Sequence, residues 1–266
     1  MILQNFHCHT TYCDGENSPE EMVLSAIEKG ITDLGFSGHS FVPFDPGYCM
    51  GAEKEAAYRA ETAALKKKYS YRITIYCGIE QDIQSPLPKE PFDYMIGSVH
   101  YVETDMGPVA VDYMPERMEE AVERCYSGDW LSLCESYFES VSDVVNRTGC
   151  DIIGHFDLIT KYNEGCRLFD CTDTRYVRAW QKAADRLLAY GIPFEINTGA
   201  MSRGYRTAPY PSIDIIRYIH SNGGKFILSS DAHRRDDLLY GFDETLKMLE
   251  REGVPVYSFK ELKGFC

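Results

Sequence analysis

A chain of 266 residues, 44% of them hydrophobic and 21 of them Gly, can bury a substantial core, which excludes a disordered segment or a mini-protein. Its 41 acidic residues outnumber 27 Lys and Arg, and the formal net charge of -14 repels phosphate backbones and anionic lipid surfaces, so neither nucleic acid nor membrane is an expected partner. Ten scattered Cys with no CxxC pair read as reduced thiols of a cytoplasmic protein, not as a disulfide framework.

Met1 to His7 carries no basic stretch and no long apolar segment, so it does not read as a secretory signal. No later apolar run approaches the roughly 18 residues of a membrane span. Apolar, β-branched runs predict strands at 2–7, 32–37, 73–79, 93–99, 151–155, 192–197 and 225–230. After the first, Ser18-Pro19-Glu20-Glu21 places a cap, a Pro at the first helical position and a Glu at the third, opening a helix that Gly30 ends. Tyr137, Val141, Val144 and Val145 recur at helical spacing before Gly149, and Val177, Trp180, Ala184, Leu187 and Leu188 do so before Gly191. Pro211-Ser212 opens a further helix carried by Ile213, Ile216 and Ile219 and stopped at Asn222-Gly223-Gly224.

No linker, repeat or low-complexity tract interrupts this alternation, so one domain spanning 1–266 is expected. Strand, helix, strand, repeated along the chain, implies parallel strands with right-handed crossovers. A closed or nearly closed, seven-stranded β/α barrel of the α/β class fits best, and an open doubly wound sheet comes second.

Six of the seven His fall at or just past a strand's C-terminal end: His7 and His9, His39, His100, His155 and His233. The third strand ends at Glu80 and the sixth at Glu195-Ile196-Asn197. In a β/α barrel these ends share one face, where active sites are built. Imidazole and carboxylate without thiolate suit Zn, Mn or Fe. His220, at the end of a predicted helix beside Ser221-Asn222-Gly223, suits unpaired helix carbonyls and stays outside the site.

The ordered set His7-Cys8-His9-Thr10 with Asp14-Gly15, His39, Gly78-Ile79-Glu80, Gly97-Ser98-Val99-His100, Gly154-His155-Phe156-Asp157, Glu195-Ile196-Asn197-Thr198 and Ser230-Asp231-Ala232-His233 resembles the polymerase and histidinol phosphatase (PHP) family, in particular its histidinol-phosphatase branch. That family's fold is a distorted seven-stranded β/α barrel holding up to three divalent metals. The resemblance implies one metal on His7, His9, Glu80 and Asp231, a second on Glu80, His100 and His155, and a third on Asp14, His39 and His233. Asp231, Glu80 and His233 are its expected catalytic side chains. Two to three divalent ions, Mn, Fe or Zn, would make the mouth locally cationic despite the acidic surface, and would activate water for attack on phosphorus.

The reaction so implied is hydrolysis of a small phosphate monoester, first of all L-histidinol phosphate to L-histidinol and phosphate, a step of histidine biosynthesis. The alternative is another phosphoesterase substrate, a nucleotide or sugar phosphate, or an amidohydrolase-like metal hydrolase, whose barrel also begins with HxH. Arg203 and Arg206, in the segment after the sixth strand, are the candidate phosphate clamps, with Arg203 favoured for a bidentate contact. Ser98 and Asn197 are counted with the substrate contacts. Members of the family often carry an Arg after the fifth strand, where this chain reads Leu158-Ile159-Thr160-Lys161, and Lys161 supplies charge without a planar fork. Loop aromatics Phe41, Phe44 and Tyr101, with Asp45, Asp105 and Asp112, are candidates to meet a substrate amine and imidazole.

Overall fold

The seven apolar runs emerge as seven parallel strands in the computed structural model, which describes residues 3–263. They are β1 (Gln4–Asn5), β2 (Asp33–Phe36), β3 (Thr74–Asp82), β4 (Tyr94–Ser98), β7 (Ile152–Ile153), β8 (Phe194–Asn197) and β9 (Phe226–Ser229). Ile2, the start of the first expected run, lies outside the described residues, as does Cys266. The other nine cysteines are free thiols.

Sheet order follows chain order, β1-β2-β3-β4-β7-β8-β9, with every pairing parallel. An open doubly wound sheet would reverse its order part-way. Here the two outer strands meet instead. Past their ends, Cys8 bridges Ala232 in parallel, with His9 N donating to Ala232 O at 2.8 Å and Ala232 N to His7 O at 3.2 Å. The sheet thereby closes into a barrel.

One hairpin was not foreseen. β5 (Tyr101–Thr104) and β6 (Gly107–Ala110) pair antiparallel directly after His100 and border the barrel mouth. The hairpin's strands are four residues long and carry Glu103, Thr104 and Pro108, so the sequence offers no apolar strand run there, and the turn rests on Gly107 at φ 93°.

The helices are α1 (Pro19–Glu28), α2 (Ala52–Lys68), α3 (Pro115–Cys125), α4 (Trp130–Ser142), α5 (Val144–Thr148), α6 (Thr174–Leu188), α7 (Gly199–Ser202), α8 (Ile213–Ser221), α9 (Phe242–Arg251) and α10 (Phe259–Lys263). Helix α1 opens on the expected capping box, Ser18 and Glu21 each satisfying the other's backbone N–H. The periodicity from Tyr137 to Val145 belongs to two helices, because Asp143 leaves helical geometry between α4 and α5 and its N–H turns back to Ser140 and Val141 carbonyls. No helix among the described residues is long and apolar enough to cross a membrane.

Phe6, Tyr94, Ile96, Ile152 and Ile227, from strands on all sides, meet across the barrel and are joined by Phe259 of α10, whose ring centroid lies 4.4 Å from that of Phe6. Tyr94 anchors this plug by donating to the Phe6 and Phe36 carbonyls at 2.6 and 2.8 Å. Its ring occupies space that Gly78 leaves free, since a Cβ there would stand 2.3 Å from the Tyr94 ring. With that end filled by apolar side chains, the polar groups at the strand C-termini are left facing the opposite mouth.

Candidate metal centre

Six of the seven strands deliver a donor near the end of their apolar run. His7 and His9 follow β1, His39 follows β2 and pairs its backbone with Glu80 of β3, His100 follows β4, His155 follows β7, and Asp231 and His233 follow β9. Asp14 comes from the loop after β1. Asp231 sits at φ 48°, the left-handed region that costs a non-Gly residue free energy. The seam hydrogen bonds flanking Ala232 hold it there.

The deepest donors enclose a point. His7 Nε2 lies 3.3 Å from Glu80 Oε2 and 3.6 Å from Asp231 Oδ1, and His9 Nε2 lies 3.6 and 3.2 Å from the same two oxygens. A tetrahedral ion with bonds of about 2.0–2.2 Å has edges of roughly 3.3–3.6 Å, so the spacing is that of ligands around one cation. His7 Nε2, His9 Nε2 and Glu80 Oε2 are buried without any hydrogen bond, as is Nδ1 of His155. Leaving one such atom unsatisfied costs about 1–3 kcal/mol. Three converging orphans are accounted for by a cation.

Glu80 ties this group to the next. Its Oε1 meets His155 Nε2 at 2.8 Å and His100 Nε2 at 3.3 Å, and its Oε2 lies 2.9 Å from His39 Nδ1. The outermost group is Asp14, 3.2 Å from His233 Nε2, 3.6 Å from His39 Nε2 and 3.5 Å from His9 Nδ1. All nine expected ligands therefore converge. His39 touches both Glu80 and Asp14, and thus stands between the two groups. His220 is remote, at the C-terminal end of α8, where its carbonyl accepts from the Asn222 N–H.

Behind the donors stand two carboxylates that were not among the expected ligands, Glu195, noted at the end of the sixth strand, and Asp82. Glu195 of β8 accepts from His7 Nδ1 at 2.6 Å, Ser229 Oγ at 2.6 Å, the His155 N–H at 2.8 Å and Asn197 Nδ2 at 2.9 Å. Asp82 accepts from the His100 N–H and ring Nδ1 at 3.0 and 2.9 Å. Such contacts fix the tautomer that leaves Nε2 free for a metal. Asp82 was visible as the residue two past Glu80, on the same strand face.

The electrostatics match a site built for positive charge. Burial opposes charging His7, yet Glu195, Asp231 and Glu80 outweigh it and raise its pKa well above the usual value. Burial likewise opposes charging His39 and His100, and Glu80 leads the carboxylates that raise both. His9 is pushed down to about 3 by burial and by His233 and His39. Burial works against ionised Glu80 and Asp231, but the surrounding imidazoles, and for Asp231 chiefly Arg203, hold both well below the carboxylate range.

Above the donors opens a cavity of about 680 Å³, of a size that takes a small ligand. Arg203 and Lys161 line it. Arg203 donates to Asp231 Oδ2 at 3.1 Å and reaches His233 Nδ1 at 2.8 Å. Gly199 makes room for this, because a Cβ there would fall 2.8 Å from Asp231 Oδ2. Arg206 is placed differently: its guanidinium bonds the Thr160 hydroxyl and lies 4.7 Å over the Tyr210 ring, and it does not line the cavity. Ser98 donates to Glu80 Oε1 at 2.7 Å, and Asn197 is spent on Glu195 and on the Gly199 N–H, so both hold protein groups. Asp45, Tyr101 and Asp112 line the cavity, with Phe44 against Tyr101 at 4.9 Å between centroids; Asp105 lies apart, at a surface depression with Glu103 and Cys125.

The PHP domain profile matches residues 5–199, the greater part of the chain and most of the donor set. The chain belongs to the PHP domain family. Among its PHP relatives, the probable histidinol-phosphatase of Deinococcus radiodurans is 28% identical over 98% of both chains, and the histidinol-phosphatase of Bacillus subtilis is 24% identical over 93% of this chain and 99% of its own. A crystal structure of histidinol phosphate phosphatase from Lactococcus lactis, complexed with Zn, L-histidinol and phosphate, superposes with a TM-score of 0.68 at 19% identity, covering 96% of this chain and 95% of that one. The barrel read from strand order is thus also the fold of that solved structure.

Proposed function

We propose that this PHP protein is a metal-dependent phosphatase that hydrolyses L-histidinol phosphate to L-histidinol and phosphate, in the cytoplasm, with two to three divalent ions. The observation that carries the reading is the nest of buried, unpartnered imidazole and carboxylate atoms at ligand spacing, on the floor of a cavity walled by Arg203 and Lys161. Relatives named as histidinol phosphatases over nearly the full chain support the substrate.

His7, His9, Glu80 and Asp231 would hold one ion, and Glu80, His100 and His155 a second. Asp14, His39 and His233 would hold a third. When bound, such ions supply an activated water and neutralise phosphate oxygens. The donor set, nitrogen and oxygen without sulfur, suits Zn, Mn and Fe. The protein's own groups perform the rest. Arg203 presents its guanidinium at the cavity floor, oriented by Asp231, for a phosphate oxygen. Glu195 and Asp82 keep the protons of His7 and His100 on Nδ1.

The test is a panel of phosphate monoesters, histidinol phosphate, nucleotides and sugar phosphates included, assayed with protein whose metal content has been measured. Preference for histidinol phosphate, with at least two ions per chain, is the expected result. Fewer than two ions and no activity after addition of Mn²⁺, Zn²⁺ or Fe²⁺ would overturn the catalytic reading, and activity without preference for histidinol phosphate would overturn the substrate.

A further inference from the structure

In the wall of the same cavity, Lys161 and Asp112 form a pair. Lys161 Nζ donates to the Asp112 carbonyl at 2.6 Å and stands 3.5 Å from its carboxylate Oδ2. The two segments are pinned together, since Tyr162 Oη donates to the Asp112 and Tyr113 carbonyls at 2.9 and 2.8 Å. The Lys161 side chain is only 11% exposed and that of Asp112 28%, and both line the same cavity as His100, His155 and Arg203. Burial favours the neutral acid, but Lys161, followed by the imidazoles, keeps Asp112 ionised. Among the described residues Asp112 Oδ1 accepts no hydrogen bond. The pair is therefore loose at the carboxylate, and each member retains capacity directed at the cavity: a spare N–H on the ammonium and a free oxygen on the carboxylate.

A cation and an anion side by side in a mostly buried wall are complementary to a ligand carrying the opposite charges at similar separation. A phosphate monoester whose ammonium sits on the carbon next to the phosphorylated one is such a ligand. We propose that Asp112 and Lys161 are specificity-determining residues that exchange partners on binding: Lys161 turns from Asp112 to the phosphate, and Asp112 accepts from the substrate's ammonium. An ester without the amine draws Lys161 away and leaves the Asp112 carboxylate unpaired, which discriminates against it. The inference rests on the phosphatase reading above and deepens it to amino-alcohol phosphates.

The experiment compares metal-loaded wild type, Asp112→Asn and Lys161→Met on L-histidinol phosphate and on the same ester lacking the amino group, with L-histidinol and inorganic phosphate as product inhibitors. Asp112→Asn is expected to raise KM for histidinol phosphate at least about tenfold and to lower it about two- to threefold for the amine-free ester, because Lys161 is released. Inhibition should split likewise, weaker by L-histidinol and stronger by phosphate, opposite signs that misfolding cannot produce. Lys161→Met should raise KM for both esters and weaken inhibition by phosphate. If Asp112→Asn moves both esters in the same direction, or leaves L-histidinol inhibition within about twofold, the exchange is wrong while the phosphatase reading stands. Wild type inactive on both esters would overturn that reading and this inference with it.

Discussion

Glu195→Gln is the substitution that most directly separates a built metal site from a chance cluster of imidazoles. The carboxylate is fully buried and accepts four hydrogen bonds, from His7, Ser229, the His155 backbone and Asn197. A glutamine of the same size supplies one acceptor oxygen and sets an NH2 against two of those donors, whichever way it is flipped. It also removes the charge that pairs with His7 when His7 is protonated. Breaking a buried pair of this kind costs about 3–5 kcal/mol in the cation-free protein. In the loaded protein the loss falls on the ligand's orientation, and metal affinity should drop about 10–100-fold. Competition with a chromogenic chelator measures the affinity, and thermal unfolding with and without EDTA measures the stability. A variant that binds metal and turns over as the wild type does would show that His7 is not a ligand held by Glu195.

Glu80→Gln and His155→Ala should each lower kcat about a thousandfold, the loss of several kcal/mol of charge stabilisation, with unchanged circular dichroism, whereas His220→Ala should alter neither. The chelated protein should be most stable near about pH 6.5: the raised pKa values of His7, His39 and His100 give stability that is complete below about 6.5 and lost as pH rises through the raised values, His9, held down to about 3, costs stability as pH falls below about 6.5, and the depressed Asp14, Glu80 and Asp231 give stability lost in stronger acid. Scanning calorimetry from about pH 6 to about pH 9 should therefore show a falling midpoint after EDTA and a flat one with metal, and a flat EDTA series would refute the assignment. Tyr94→Phe deletes the hydroxyl that serves the Phe6 and Phe36 carbonyls, and urea unfolding should show a loss of about 1–3 kcal/mol.

The sequence made the barrel and its donors legible for a common reason. Each β/α strand is an apolar run, and the run must stop where the site begins, so the stop residue is itself the polar group. The groups behind the donors escape this logic. Glu195 meets His7 across 188 positions, and Asn197 and Ser98 look like mouth residues until pairing between strands turns them onto neighbouring carboxylates. Arg203 and Arg206 stand three apart in one segment, yet the first faces Asp231 and the second the Thr160 hydroxyl, a difference set by the path of the chain after α7. The β5–β6 hairpin was hidden because its four-residue strands, broken by Glu103 and Pro108, make no apolar run of their own.

The seam between Cys8 and Ala232 has a consequence for the order of events during biosynthesis. His7 and His9 leave the ribosome early, but Asp231 and His233, which lie against them, directly follow the last strand of the barrel. Until that strand docks, the ligand set around His7 and His9 stays open, so an ion held there would mark a finished barrel. An ion held by His7, His9 and Asp231 would latch the seam: opening β1 from β9 would require giving it up, and resistance to opening would grow with free metal concentration by mass action. In the proposed metal-loaded state, free metal concentration would thus bear on the stability of the fold as well as on the competence of the site.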